Sequence, residues 1–486
     1  MPDRHRSAIW RTLHPAESHL VTLPADAGAP TDDPEANAAP LGPSPLVSGD
    51  ELSVSAAWET IRASLSPIEA TEEVALADAV GRVLALALVS PLDVPAHDNS
   101  AMDGYALRGT ELATAGPTRL QALPLTVFAG QPLGGPVAAG HCVRIMTGAV
   151  MPAGLDTVVP LELCSVQEGW VSIEAGVIRS GDNRRHRGED LRCGQPALAA
   201  RRRLRPADLG LAASLGVSRL KVFRRLRVAL FSTGDELRAP GEALAPGCLY
   251  DSNRYTLLGA LARLGVEVLD LGLVPDNEAA LQAALDMAVQ SCDAVITSGG
   301  VSMGDADNTR QMLQRLGQVA FWKVAMRPGR PFAFGALQRR ASAPAAQAQA
   351  QSPAGALPSE VPHLATSSSP AVLFALPGNP VAALVSFYAF AQPALHLLAG
   401  ASEAPLPGLQ ARATAAIRKR PGRTEFQRAI VSRTASGVCE VKLTGSQGAG
   451  ILRSMSEANA LVVLGHDQGP VAAGDWVEVW PFDGLV

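Results

Sequence analysis

No two of the six cysteines, Cys142, Cys164, Cys193, Cys248, Cys292 and Cys439, are close enough to form a CxxC pair. That scatter argues against a zinc or dithiol motif and favours reduced thiols in a cytosolic protein. An excess of positive charge is also missing. The formal net charge is −5, with 18% charged residues, so nothing draws the chain globally to nucleic acid or an anionic membrane. A local basic pocket for a small anion stays open. Residues 1–10 alternate charged and polar side chains and lack the apolar run of a signal peptide. The most apolar stretch, 381–398, contains Gln392, Pro393 and His396 and follows a Gly/Pro turn. It reads as a buried helix rather than a membrane span.

What is present is length and rhythm. At 486 residues, 47% of them apolar, the chain is too long for one ordinary domain and can bury several cores. Residues 1–50, rich in Pro, Ala, Asp and Gly from 11 onward, read as a disordered leader. A helical pattern begins near Ser53 with Ala57, Ile61 and Leu65, then Val74, Leu76 and Val80. From 91 to 187, short Val/Leu/Ile runs alternate with Gly/Pro turns, the texture of a small β-rich domain. Residues 51–90 with 188–225 form a mixed linker domain. Between 226 and 404 strands and helices alternate, predicting a doubly wound α/β domain with a parallel sheet, whose ligands bind at the carboxyl ends of the strands. Residues 338–371 break that rhythm and read as a flexible surface insertion. Residues 405–486 return to strand and turn, as in a small β-barrel-like domain. The expected fold class is thus multidomain α/β plus β.

Three loops at expected strand ends concentrate glycines, hydroxyls and acids. Ser232, Thr233, Gly234, Asp235 and Glu236 follow an apolar strand. Small residues there let the backbone approach a phosphate, and the two acids suit a divalent metal, a sugar hydroxyl or merely a surface turn. Gly299, Gly300 and Ser302 can form a phosphate-cradling nest ahead of Asp307, which equally suits a helix N-cap. Pro377, Gly378, Asn379 and Pro380 make a rigid turn into a helix. Between the second and third loops, Lys323, Arg327 and Arg330 put three cations on a Gly/Pro-constrained segment, either a solvated basic turn or a seat for a tetrahedral oxyanion. Earlier segments around His97, Asp98, Asp103, Thr147, Arg185 and Asp190 are weak signals taken singly; Asp98 is equally a turn former.

Together these strings carry a resemblance. PLDVPAHDNSAMDGYALR, RIMTGAVMP, RRHRGED, ALFSTGDEL, YDSNR, ITSGGVSMGDAD, FWKVAMRPGRPFAFG and LPGNPVAALVSFY run in order and resemble the molybdopterin molybdenumtransferase family, which includes the E domain of gephyrin. The resemblance covers about 51 to 485 and leaves out the leader and the insertion. It implies a cytoplasmic homodimer in which 226–404 binds molybdopterin, with the site completed by the β-rich domain of the other subunit. It implies substrates, adenylylated molybdopterin and molybdate, and a divalent cation, Mg2+, with molybdenum cofactor and AMP as products. It further implies activity roles for Asp103, Thr147, Asp190 and Glu236, and metal ligation by Glu236, Asp276 and Asp307. Substrate binding would fall to Arg185, Ser232, Thr233, Gly299, Gly300, Ser302, Lys323, Arg327, Arg330, Pro377, Pro380 and Arg428. Arg327 and Arg330 stand where relatives often carry lysine, and Ala449 where some carry serine. Partners would be the adenylyltransferase and recipient molybdoenzymes, with no nucleic acid and no membrane. Two alternatives are a molybdopterin adenylyltransferase, disfavoured by the extra domains, and a gephyrin-like scaffold, disfavoured by the full set of acids.

Overall fold

The computed structural model describes residues 51–300, 317–338 and 370–485. The expected leader and residues 339–369 of the insertion lie outside the described residues, as do Ser302 and Asp307. Strand Pro331–Leu337 ends, and strand Ala371–Leu376 begins, on either side of that insertion. The chain divides into two compact units, Thr71–Phe223 and the remainder, Met1–Ala70 with Arg224–Val486.

In the unit of 71–223, a six-stranded sheet runs in the order Thr157–Pro160, Gly104–Leu107, His141–Ile145, Thr118–Val127, Trp170–Ile173, Cys164–Gln167. Its alternation has period two. Ala106, Val143, Ile145 and Val158 enter one core, while Tyr105, Leu107, Cys142 and Val159 enter the other. Both faces are therefore covered, which explains the short unbroken apolar runs. Burial, then the nearby Cys164, pushes the Cys142 thiol up to about 12, so it is an inert packing group. No disulfide joins the cysteines among the described residues. A third core in this unit forms under the pair Thr71–Ala75 and Arg219–Phe223 and the helix Pro206–Ser214.

The helix expected from Ser53 toward Val80 stops well short of that. The helix is Val54–Ala63, capped by Ser53 Oγ accepting from the Ala56 N–H at 3.1 Å. Val74 lies on a strand and Val80 is 51% exposed. Residues 51–70, grouped by the sequence pattern with 188–225, instead attach to the α/β part. The Leu52 N–H donates to Lys323 O at 3.2 Å, the Ala325 N–H to Leu52 O at 2.7 Å, and the Ile68 N–H to Leu398 O at 2.9 Å.

The α/β part holds a six-stranded sheet ordered Glu267–Val274, Arg227–Thr233, Ala294–Ser298, Ala371–Leu376, Pro331–Leu337, Gly317–Lys323. The first four strands are parallel, and the last two join antiparallel. The parallel sheet expected from the βα rhythm is present in four strands, with two antiparallel strands added at one edge. The last two strands are linked by the short 324–330 connection, too short for a crossover helix, and only antiparallel strands tolerate such a link. Ala229, Phe231, Val295, Ala333, Leu373 and Ala375 present one face of the sheet to Leu281, Leu285 and Ala288 of helix Glu278–Ser291. On alternate positions, Phe332 stacks on Phe390 with ring centroids 4.9 Å apart. Phe390 belongs to the long apolar stretch, where helix Pro380–Ser386 passes through a π-helical turn at Phe387–Ala391 into Gln392–Leu398. Pro393 lacks an N–H for the α-helical ladder, so the widened turn falls just before it. This helix is apolar and long enough to cross a membrane, yet 83% of its most apolar window is buried inside the protein.

Near the C-terminus five strands close on themselves in the order Thr424–Arg433, Cys439–Leu443, Leu409–Ala413, Trp476–Pro481, Ala460–Leu464, the last pairing back to the first. Their inward positions, among them Ala411, Ala429, Val441, Val462 and Val479, make one core. The two-residue strand Met326–Arg327 pairs with Thr424 and Glu425, tying the basic segment to this barrel.

Candidate active site

The apolar strands of the α/β part end together, and each gives way to a polar segment rich in small residues. Gly299 has φ +93°, and a Cβ there would collide with the Thr233 carbonyl oxygen. The Gly299 N–H donates to Leu376 O at 3.1 Å, and a Cβ on Gly378 would lie 3.8 Å from the Gly299 Cα. The loops after Thr233, Ser298 and Leu376 therefore touch one another. Asp251 and Asn253, at the start of helix Ser252–Leu264, lace them together. Ser232 Oγ donates to Asp251 Oδ1 at 3.1 Å, and Asn253 Nδ2 donates to Ser298 Oγ at 2.7 Å and to Gly378 O at 2.8 Å. Neither residue is singled out by the sequence pattern, although an Asp directly ahead of a helical run is a capping signal. Thr233 Oγ1 is buried and makes no hydrogen bond within the described residues.

A cavity of about 290 Å³ opens beside the third loop, with Arg327, Arg330, Arg423, Pro377, Asn379 and Ala449 among its walls. Two of the expected cations and one of the expected turn prolines thus share a space. Ser232, Thr233, Gly299, Gly300, Lys323 and Pro380 are not among its walls. The reason is that the 324–330 connection follows the barrel strand to which it pairs, off the crests.

Arg428 does not reach into the cavity as a ligand would. It is 1% exposed, and all its guanidinium nitrogens are committed within the chain. Nε donates to Ser454 Oγ at 3.0 Å, Nη1 to Gln447 O at 3.2 Å, and Nη2 to Ser446 O at 3.1 Å and Gly448 O at 2.9 Å. It therefore builds the 446–449 wall from behind. Burial, then the charge of Arg327, lowers its pKa to about 10, so it remains cationic at neutral pH.

Carboxylates gather at a different point of the same strand tips. Burial, then the charges of Asp235 and Glu236, holds the Asp276 carboxyl above its ordinary value. An all-oxygen group of like charges suits a hard cation such as Mg2+. Among the described residues, however, no group of three or more His, Cys, Asp or Glu stands arranged as a ligand set. The donor chemistry fits the ion; a complete cage is not built by these residues.

The remaining candidates lie in the unit of 71–223, along residues 93–103. Asp103 Oδ1 accepts both the backbone N–H and the hydroxyl of Thr147, each at 2.7 Å. The pairing follows from the sheet, since Gly104 sits opposite Ile145 and the two residues lie just beyond these strand ends. These two bonds, the backbone one first, hold the Asp103 carboxyl below its usual range. Arg185 is exposed and pairs across from Asn99, and the N–H of exposed Asp190 donates to Val94 O at 3.1 Å. Asp98 accepts the Arg187 N–H at 2.7 Å, and Asp93 that of Cys193 at 2.8 Å, so these two acids organise the segment.

Comparison with known proteins covers most of residues 52–482. Residues 52–216 match the MoeA N-terminal region (domain I and II), 229–397 the probable molybdopterin binding domain, and 410–482 the MoeA C-terminal region (domain IV). A molybdopterin molybdenumtransferase of Haemophilus influenzae is 38% identical over 86% of this chain and 95% of its own length. Molybdopterin molybdenumtransferase 2 of Mycobacterium tuberculosis is 36% identical over 84% and 94%. The solved structure of a molybdopterin biosynthesis moeA protein from Pyrococcus horikoshii superposes with a TM-score of 0.70 at 25% identity, over 89% of this chain and 100% of that one. With its matched regions in that order and a relative 38% identical over most of its length, the chain belongs to the molybdopterin molybdenumtransferase family.

Proposed function

We propose that the chain inserts molybdate into adenylylated molybdopterin, releasing AMP and giving molybdenum cofactor. The observation that carries this reading is the cavity in which Arg327 and Arg330 stand beside Pro377 and Asn379 of a strand-tip loop. Guanidinium groups neutralise an oxyanion and hold it in a planar fork, which is what a phosphoanhydride and a tetrahedral metal oxide both require. Cleaving a phosphoanhydride depends on positioning and charge neutralisation more than on a covalent nucleophile. Thr233, whose buried Oγ1 has no hydrogen bond within the described residues, and the Gly300 amide would hold the phosphate end of the substrate, with Ser302 continuing that loop, while Ser232 and Gly299 tie the loops together through Asp251 and Leu376. Asp103, Thr147, Asp190 and Arg185 are the activity and binding residues proposed for the other unit.

Glu236 and Asp276, with Asp307, would hold a divalent cation. When bound, Mg2+ supplies Lewis-acid polarisation of the phosphate. Lys323 keeps positive charge near the 324–330 connection. The proposal includes a cytoplasmic homodimer that receives its substrate from an adenylyltransferase and passes its product to recipient apoenzymes. Light scattering at twice the 50.4 kDa chain mass is the expected outcome for the dimer.

The deciding experiment supplies purified protein with adenylylated molybdopterin, molybdate and Mg2+, and measures AMP release and reconstitution of an apo-molybdoenzyme. AMP release that falls on the order of 100-fold in Arg327→Ala supports the reading. Formation of adenylylated pterin from molybdopterin and ATP would instead identify an adenylyltransferase. Unchanged insertion by folded Asp103→Ala and Glu236→Ala variants would leave only a scaffold.

A further inference from the structure

The cavity has a third guanidinium, and a carboxylate outside its walls pairs with two of the three. Arg423 lines it with Arg327 and Arg330. Its place is set by the barrel: the Thr424 N–H donates to Ala325 O at 2.9 Å, and Met326 and Arg327 run parallel to Thr424 and Glu425. Three cations around a space of about 290 Å³ repel one another unless an anion is present. The chain supplies one. Glu51 takes a forked pair from Arg330, Nε to Oε1 at 3.0 Å and Nη2 to Oε2 at 3.4 Å, and its Oε1 is 3.9 Å from Arg423 Nε. Glu51 is held there by its neighbour, since Leu52 bridges to Lys323 and Ala325 through two backbone hydrogen bonds. Ser53 then caps the following helix.

We propose that Arg423 is a third anion-binding residue of this cavity, and that Glu51 is an internal carboxylate which the incoming oxyanion displaces. This rests on reading the cavity as the oxyanion site. The Arg330 and Arg423 side chains are 45% and 44% exposed, so their pairing with Glu51 is weak, as solvent-exposed ion pairs are. A doubly charged oxyanion reaching three guanidiniums outcompetes one carboxylate shared between two. A singly charged anion gains too little to do so. Glu51 therefore raises the discrimination of the cavity in favour of divalent oxyanions such as molybdate, at some loss of affinity.

Calorimetric titration of the full chain with molybdate, at fixed ionic strength, tests this in wild type, Glu51→Gln, Arg423→Ala and Arg327→Ala, each checked by thermal melting. Glu51→Gln is expected to bind about five-fold tighter and to become sensitive to chloride competition, and Arg423→Ala to bind about five-fold weaker. Glu51→Ala provides the same reading if Gln perturbs the melt. If both Glu51 variants bind no tighter while Arg327→Ala weakens binding, the counter-charge role is overturned and the cavity reading stands. If Arg327→Ala leaves molybdate affinity unchanged, the cavity is not the oxyanion site and both fall.

Discussion

Gly299 packs against the carbonyl oxygen of Thr233 so closely that no side chain fits between them. The contact joins two strand-tip loops, and the positive φ of +93° at Gly299 forbids relief by rotation. Gly299→Ala is therefore expected to destabilise the α/β part by about 2–4 kcal/mol, since backbone strain and a backbone clash act together. Chemical denaturation measures that loss. Gly378→Ala, whose Cβ would meet only the Gly299 Cα at an ordinary 3.8 Å, serves as the comparison and is expected to cost far less.

Arg428 is a positioning residue, and its replacement should be read at the 446–449 wall. Arg428→Ala leaves the carbonyls of Ser446, Gln447 and Gly448 without their donor, which costs about 3–5 kcal/mol for a buried charged network. Arg428→Lys cannot restore several divergent bonds from one ammonium and should recover little. Hydrogen exchange at 446–449 is expected to accelerate in both variants, together with a rise in KM that exceeds any fall in kcat. A fall in kcat alone, with the loop protected, would refute the positioning role.

The Asp103–Thr147 pair separates charge from hydrogen bonding. Thr147→Ser keeps the hydroxyl that donates to Asp103 Oδ1, and Thr147→Val removes it while keeping the N–H bond. Asp103 and Thr147 are exposed, so neither change should move the melting temperature appreciably. Insertion should be retained in Thr147→Ser and reduced on the order of 10-fold in Thr147→Val and 100-fold in Asp103→Asn. Equal activity in all three would remove this pair from the site.

Asp208 supplies a pH-dependent contribution to the unit of 71–223. Burial opposes its charge, but the Arg202 guanidinium, with bonds at 3.0 and 2.8 Å, and the Arg205 N–H at 2.8 Å outweigh it and hold the carboxyl below its usual range. A depressed folded pKa means that the stabilisation is present above the unfolded value of about 3.9 and is lost as pH falls through the folded one. Asp208→Asn should cost about 2–4 kcal/mol at neutral pH. That difference is expected to start shrinking near pH 4, where the carboxyl of the unfolded chain protonates first, and to vanish only once pH has fallen through the lower folded value. Denaturation midpoints from pH 7 downward, with hydrogen exchange at helix Pro206–Ser214 as a local probe, check the trend.

Much of this was legible in the amino acids because it is local. Ser53 stands ahead of a helical run and caps it. Ala294–Ser298 and Ala371–Leu376 are buried along their whole length, and their apolar composition is what the interior strands of a covered sheet require. The glycines and prolines of 299–300 and 377–380 marked the strand tips for the same reason: they report backbone conformation at their own position.

The sequence by itself determined element types, the family resemblance, and which loops would be rich in glycine, cation and carboxylate. Tertiary structure alone decided that Gly317–Lys323 and Pro331–Leu337 turn antiparallel, and that 51–70 joins the α/β part. It also decided that Arg428 faces carbonyls while Arg330 faces a cavity and a carboxylate from 279 residues away. Periodicity and capping are encoded by neighbours in the chain, whereas the partner of a guanidinium is chosen by how distant strands pair and what their packing leaves uncovered. Two arginines of identical chemistry thus acquire different tasks from their surroundings.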